Sequence, residues 1–290
     1  MSRKDAHRIK NEHGMDQLLL DLKPKIYERE VYLNQDVDVT KLSEYLEKRK
    51  EEGNHITYFH AIIAAIAKVI YNRKKLNRFI VNRHLYEHDK VIISFVAKVE
   101  FNDKAKEIMV LIPIEENDTI DTISEKINKE INKVRVAKKG DKEGGANGAI
   151  DILGVLPNGL RVPIMGFFKW LDRHGLLPKS LTTDLLYYSS MIVTNVGSLG
   201  VNGIYHNITN FGTCPSMFAM GEIKDRVRVN NGQIEPYKAC NFGITFDEGC
   251  AEGFYLIKSI KLFEYLLNNP NLLDEKANTI YNNYYSKENK

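Results

Sequence analysis

One segment constrains the rest of the chain more than any other. Between Thr57 and Asn72, Ala61, Ala64, Ala65 and Val69 together with Ile62, Ile66 and Ile70 cover most of the circumference of a helix. A helix that is apolar on nearly every side has to sit inside a large core. The chain has 290 residues, enough to bury roughly three quarters of its unfolded surface. No staple is needed, and the three cysteines, Cys214, Cys240 and Cys250, form neither a disulfide framework nor a zinc pattern.

What surrounds that helix reads as a mixture of strands and helices. Ile26 to Val39 alternates and predicts a strand, followed by a helix from Asp38 to Lys50 with Thr40 as its N-cap. Strands are expected within Asn77–Phe101, Ile108–Ile114, Leu186–Val196, Ser216–Ile223 and Phe242–Phe246. Asn230-Asn231-Gly232, between Arg226–Val229 and Ile234–Tyr237, signals a hairpin. Helical spacing recurs in Ile120–Val136 and Gly253–Asn268, and the glycines of Gly140–Gly148 predict a mobile loop. Strands separated by helices imply an α/β layered domain with a large mixed sheet. Residues 1–25 read as an N-terminal arm, and residues 26–290 as one domain. Ile152–Leu177, rich in Phe and Leu, suits ordinary core first. A pocket lining, a face between subunits and a membrane-surface contact are its other readings.

Charge excludes some functions. With 41 basic and 38 acidic residues the formal net charge is +3, too even for a nucleic-acid binder. No apolar run long enough to span a membrane occurs, and the N-terminus lacks a secretory core. A cytoplasmic protein is expected.

Three blocks of sequence carry a resemblance. The first is Tyr58-Phe59-His60-Ala61 with Leu76-Asn77-Arg78-Phe79. The second is Ile192-Val193-Thr194-Asn195-Val196-Gly197, followed by Gly203–Pro215 and Phe218-Ala219-Met220-Gly221. The third is Phe246-Asp247-Glu248-Gly249-Cys250-Ala251-Glu252-Gly253. In order and spacing they resemble the catalytic domain of the 2-oxo acid dehydrogenase acyltransferases, whose fold chloramphenicol acetyltransferase shares. The resemblance extends from about Tyr27 to Leu267. It implies a CoA-dependent acyltransferase fold, coenzyme A or acyl-CoA as cosubstrate, no metal, and a homotrimer with active sites between subunits. In that family a histidine acts as general base and a hydroxyl stabilises the oxyanion.

Carried over by position, the resemblance puts Thr194 at the oxyanion. It puts Glu248 where the family keeps its histidine, Glu252 at the orienting aspartate and Gly249 at the following arginine. Asp247 and Gly253 are retained, and Asn195 supports the site. Glu248 and Glu252, four residues apart, would share a proton if they lay on one face. The plainer reading is that they are acidic residues at a helix N-terminus. His206 is a second candidate base. His60 reads as a satisfied core histidine, His174 as a helix-terminal residue, and Cys250 as a thiol dulled by acidic neighbours. Arg78 is a candidate partner for Asp247. No lipoyl or subunit-binding domain is recognisable, so a lipoyl group would have to come from another chain. The expected function is acyl transfer from a CoA thioester to an unidentified acceptor; the alternative is a catalytically impaired relative acting as a binding or assembly module.

Overall fold

The computed structural model describes residues 3, 5–10, 14–98, 107–136, 153–281 and 284. The expected loop over Gly140–Gly148 lies outside them. Six strands form a mixed sheet: β2 (Glu30–Asp38), β5 (Val91–Lys98), β6 (Glu107–Ile114), β7 (Met191–Asn195), β8 (Ser216–Asn230) and β9 (Gln233–Asp247), in the order β2-β9-β8-β7-β5-β6. Strand β7 runs parallel to both neighbours, and the remaining pairs are antiparallel. A smaller sheet joins β1 (Ala6–Arg8), β3 (Arg78–Val81) and β4 (His84–His88) in the order β1-β4-β3. The N-terminal arm thus contributes a strand to the body and then forms helix α1 (Gly14–Leu22).

Helices α2 (Thr40–Glu51), α3 (Tyr58–Asn72) and α4 (Ile120–Val136) pack with the C-terminal helix Gly253–Asn268 on one face of the large sheet. The reason is visible in the pattern. Cys240, Phe242, Ile244 and Phe246 of β9 point into this layer, and Asn241, Gly243, Thr245 and Asp247 point out. Every residue of α3 from His60 to Ile70 is buried. Each of its isoleucines contributes roughly 1.5–3 kcal/mol by leaving water. The Thr57 hydroxyl caps α3 by accepting the His60 N–H at 3.3 Å, and His60 Nδ1 accepts the Thr57 N–H at 3.3 Å.

Several expectations need correction. A 3₁₀ turn at Ile26–Glu28 replaces the first part of the strand predicted from Ile26. Thr40 is the first residue of α2, not its cap, and Asp38 accepts the Thr40 N–H at 2.9 Å. The strand segments foreseen between Ser216 and Phe246 fuse into two continuous 15-residue strands, with a bulge between Met220 and Ile223. They meet at the Asn230–Gln233 turn as predicted, Asn231 and Gly232 both having positive φ.

The segment expected to be ordinary core is not core. It forms α5 (Asn158–Arg173), of which only Asp172 is buried, followed by the short α6 (Lys179–Thr182). The helix Gly253–Asn268 is therefore α7.

Candidate active site

The outer face of the large sheet, opposite the helices, is polar and small. Tyr32, Asn34 and Asp36 of β2 register with Thr245, Gly243 and Asn241 of β9. After β7 the chain turns back across this face, and glycines make the crossing possible. A Cβ on Gly203 would lie 2.3 Å from the Gly243 nitrogen, and one on Gly197 2.3 Å from the Gly221 carbonyl oxygen. Gly203 N–H donates to Asn241 Oδ1 at 3.0 Å. Further on, Glu30 holds the loop by accepting the Ile208 N–H at 2.6 Å and the Asn207 amide at 3.1 Å. Tyr205 meets Tyr32 edge-on at 5.5 Å.

Thr194 is half-buried near the end of β7, in register with Ala219. Its hydroxyl makes no hydrogen bond to any described residue. Asn195 accepts the Gly197 N–H at 3.0 Å and so shapes the turn that leaves the strand. His206 rides on the crossing loop, half-buried, with Nε2 shielded from solvent and without a hydrogen-bond partner.

The acidic motif occupies the other end of the sheet. Asp247, the last residue of β9, is buried and receives Arg29 Nε and Nη2, each at 2.8 Å. It also accepts the Gly249 N–H at 3.0 Å. Burial pushes the Asp247 carboxyl upward, against the pull of the Arg29 guanidinium. The Arg78–Asp247 pair that was expected is replaced by this one; Arg78 instead contacts Glu87 at 3.3 Å. A Cβ on Gly249 would lie 2.7 Å from Ile80 and 2.9 Å from the Arg29 side chain. Arg29 thus fills the space beside Gly249, the position that the sequence resemblance aligns with an arginine.

Glu248 and Glu252 do not form a carboxylate pair. Half-buried Glu248 is ion-paired with Lys23 from the N-terminal arm. Exposed Glu252 is bound by Lys75 at 3.0 Å. Burial raises the Glu252 carboxyl, but the Lys75 ion pair outweighs it and holds the group below its usual range. Glu252 stands at the N-cap of α7 without a side-chain capping bond, and Gly253 opens the helix. Cys250 is buried, and that burial, with Asp247 nearby, drives its thiol well above its ordinary value. His60 is buried as expected, and burial lowers it to about 4. His174 sits at the C-cap of α5, with Nδ1 donating to the Trp170 carbonyl at 2.7 Å.

Lys23, Arg29 and Lys75 are the residues that sequence reasoning missed. They lie on the arm, before β2 and after α3, in segments whose local pattern carries no sign of such partners. Beside the Arg29–Asp247 pair a cleft of about 220 Å³ opens, lined among others by Arg83, Asp172, Arg173 and Thr213. No cluster of metal-ligating side chains occurs among the described residues.

Distance separates the two halves of the motif set. Thr194 registers through Ala219 with Gly243, and Glu248 lies five residues beyond Gly243. Two strand spacings across and five residues along put the two side chains about 20 Å apart within one chain.

A mixed six-stranded sheet with helices on one face thus carries a hydroxyl and an acidic motif at its two ends. Residues 177–274 match the family described as 2-oxoacid dehydrogenases acyltransferase (catalytic domain). The match includes the second and third sequence blocks; the first lies outside it.

Structural similarity extends over nearly the whole chain. A probable dihydrolipoamide acetyltransferase from Listeria monocytogenes is 17% identical with a TM-score of 0.58, covering 91% of this chain and 95% of that one. The truncated catalytic core of the 2-oxoacid dehydrogenase complex from Thermoplasma acidophilum gives 16% and 0.56, covering 91% and 100%. A chloramphenicol acetyltransferase gives 13% and 0.53, covering 90% and 99%. Among curated proteins no sequence matches. The fold class and the family resemblance read from the sequence are both borne out.

Proposed function

We propose that this chain transfers an acyl group from a CoA thioester to a small or carrier-bound acceptor, in a cleft completed between copies of the chain in a homotrimer. One observation carries this reading. Thr194 holds an uncommitted hydroxyl at one end of the sheet, and the acidic motif lies about 20 Å away at the other, so a second copy is needed to bring them face to face.

In the proposed reaction the acceptor X–H attacks the thioester carbonyl and an X–C bond forms. The proton passes to the Glu248 carboxylate, once Lys23 has released it. The Thr194 hydroxyl donates to the oxyanion. Collapse breaks the C–S bond, and the CoA thiolate takes the proton back. Glu248 is a weaker base than imidazole at neutral pH, so hydroxyl or amine acceptors suit it better than a thiol. His206, with its unpartnered Nε2, is the second candidate base. Asp247 with Arg29 fixes the start of the motif, Asn195 the turn after Thr194, and Gly253 the first turn of α7. Glu252 and Arg78 act through Lys75 and Glu87. The reaction needs no metal and no lipoyl group on this chain. Three free, buried thiols suit a reducing cytoplasm.

A second reading has its own observation. Both glutamates are already engaged by lysines, which suits a trimeric acyl-CoA-binding or assembly module without turnover. The deciding experiment follows CoA release from acetyl-CoA with thiol, hydroxyl and amine acceptors. Turnover that falls at least a hundredfold in both Glu248→Gln and Thr194→Val supports acyl transfer, in line with the usual share of a general base. Saturable CoA binding with no turnover by the wild type establishes the second reading. A solution mass near 33.3 kDa, that of one chain, removes the shared cleft and with it both.

A further inference from the structure

Helix α5 is built to present an apolar face outward. Leu160, Pro163, Phe167 and Trp170 follow one another at i, i+3, i+7 and i+10 and fall within an arc of about 80°. Leu160, Phe167 and Trp170 are 56%, 58% and 50% exposed. The rings of Phe167 and Trp170 stack at 6.1 Å, and Trp170 lies 4.4 Å from His174. The aromatic surface is therefore arranged before any partner arrives.

The opposite side of α5 fixes this orientation. Asp172 is buried and accepts the Tyr188 hydroxyl at 2.8 Å and the Gly212 N–H at 3.1 Å. Arg3 donates to the Asp172 carbonyl at 2.9 Å, and Asn82 to that of Arg173 at 3.1 Å. These bonds prevent the helix from rolling its apolar face inward.

Charge indicates what covers the face. Helix α5 contains three cations, Arg161, Lys169 and Arg173, and one acid, Asp172, a net of +2. The one acid is buried, so the ionised groups at the surface of this segment are all positive. Lys169 and Arg173, four residues apart and both exposed, line one flank of the aromatic arc. A contact of this face with the same face of a second copy would set like charges together. A surface of anionic lipid satisfies both features: apolar and aromatic side chains enter the headgroup boundary while cations meet the negative headgroups.

We infer that α5 lies flat on an anionic lipid surface, holding the acyltransferase-type domain at the membrane interface. At 16 residues it would lie along about 24 Å of that surface. This placement goes beyond the acyl-transfer reading and does not rest on it. A peripheral site of this kind agrees with the absence, among the described residues, of any helix long and apolar enough to cross a membrane.

The chain carries its own probe, because Trp170 is its only tryptophan. The full-length protein is mixed with vesicles of phosphatidylcholine, with and without phosphatidylglycerol, and followed by Trp170 emission and co-sedimentation. The expected result is a shift of emission to shorter wavelength and sedimentation with the phosphatidylglycerol vesicles, both reduced by salt. Neutralising two cations in K169Q/R173Q should weaken partitioning roughly thirtyfold, at about 1 kcal/mol per cation. Both positions are exposed, so this variant keeps its fold. Phe167→Ser should lose binding with an unchanged melting curve.

Three results would overturn the inference. The first is protein that stays in the supernatant with unshifted emission at all lipid concentrations. The second is a double variant that binds as well as the wild type. The third is Trp170 emission already at short wavelength without lipid and reddening on dilution, which would assign the face to a second copy.

Discussion

Helices α3 and α5 are almost the same length, 15 and 16 residues, and both are rich in apolar side chains, yet one is the centre of the core and the other lies on the surface. In α3 the apolar residues go all the way round, and small ones, Ala61, Ala64, Ala65 and Ala67, let the sheet and α4 approach closely. In α5 they are gathered on one arc, with Gly159, Pro163 and Gly166 between them, and the inward side is held by the hydrogen bonds of Asp172. Apolar content alone does not decide burial. The distribution around the helix does, together with the polar groups that the inward face can satisfy.

The largest test of this contrast is a truncation in α3. Ile63 is fully buried among core residues. Ile63→Ala removes apolar contact and leaves a cavity in a layer packed from both sides. It should cost about 2–5 kcal/mol, measured by urea unfolding. A loss below about 1 kcal/mol would mean that the layer around α3 is loosely packed and that the distinction between the helices is weaker than it looks.

A second test uses the buried imidazole at the start of α3. Burial lowers His60 to about 4, below its ordinary 6.5. Above pH 6.5 it is neutral whether the chain is folded or unfolded, and contributes no pH dependence. Between 6.5 and 4 the unfolded chain takes up a proton that the folded chain refuses, so stability falls as the pH drops. At about 1.36 kcal/mol per unit, the full effect is on the order of 3 kcal/mol at pH 4. Glutamine at this position keeps the capping pattern and does not titrate. His60→Gln should therefore flatten the slope of melting temperature between pH 6.5 and 4. His88, also lowered to about 4 by burial, supplies part of what remains. Helix α5 has no histidine of its own, and an unaltered slope in His60→Gln would show that the imidazole is not shielded by the core.

The sequence disclosed the two helices unequally, for the same physical reason. A pattern that repeats every 3.6 residues around a whole helix is local, so α3, α4 and α7 are legible to within a residue. Strands β8 and β9 read as shorter pieces because Lys224-Asp225 and Lys238-Ala239 interrupt the apolar pattern, while Gly221 and Gly243 fall inside those pieces. Those glycines are present for a chain segment that crosses the sheet from elsewhere. The site shows the same division. Thr194, Asp247 and Glu248 are visible as positions within motifs. The ion pairs that set their environment join residues 218 apart for Arg29–Asp247, 225 for Lys23–Glu248 and 177 for Lys75–Glu252. No local pattern encodes such pairs. The placement of Ile152–Leu177 in the core failed because the large apolar residues of α5 gather on one arc, and that arc faces outward.

The smallest expected effect is the most discriminating. Phe167 is more than half exposed, and its ring partner, Trp170, is exposed as well. Phe167→Ser leaves no cavity and no unpaired polar group, so in buffer without lipid the unfolding free energy should stay within about 0.5 kcal/mol of the wild type. The contrast with Ile63→Ala would then amount to nearly the whole cost of truncating one buried side chain, although both substitutions remove a large apolar group from helices of almost the same length. A loss of 2 kcal/mol or more would mean that the α5 face is already covered in solution. No described residue covers that face; a cover supplied by another molecule of the protein would show as a loss that grows as the protein is diluted.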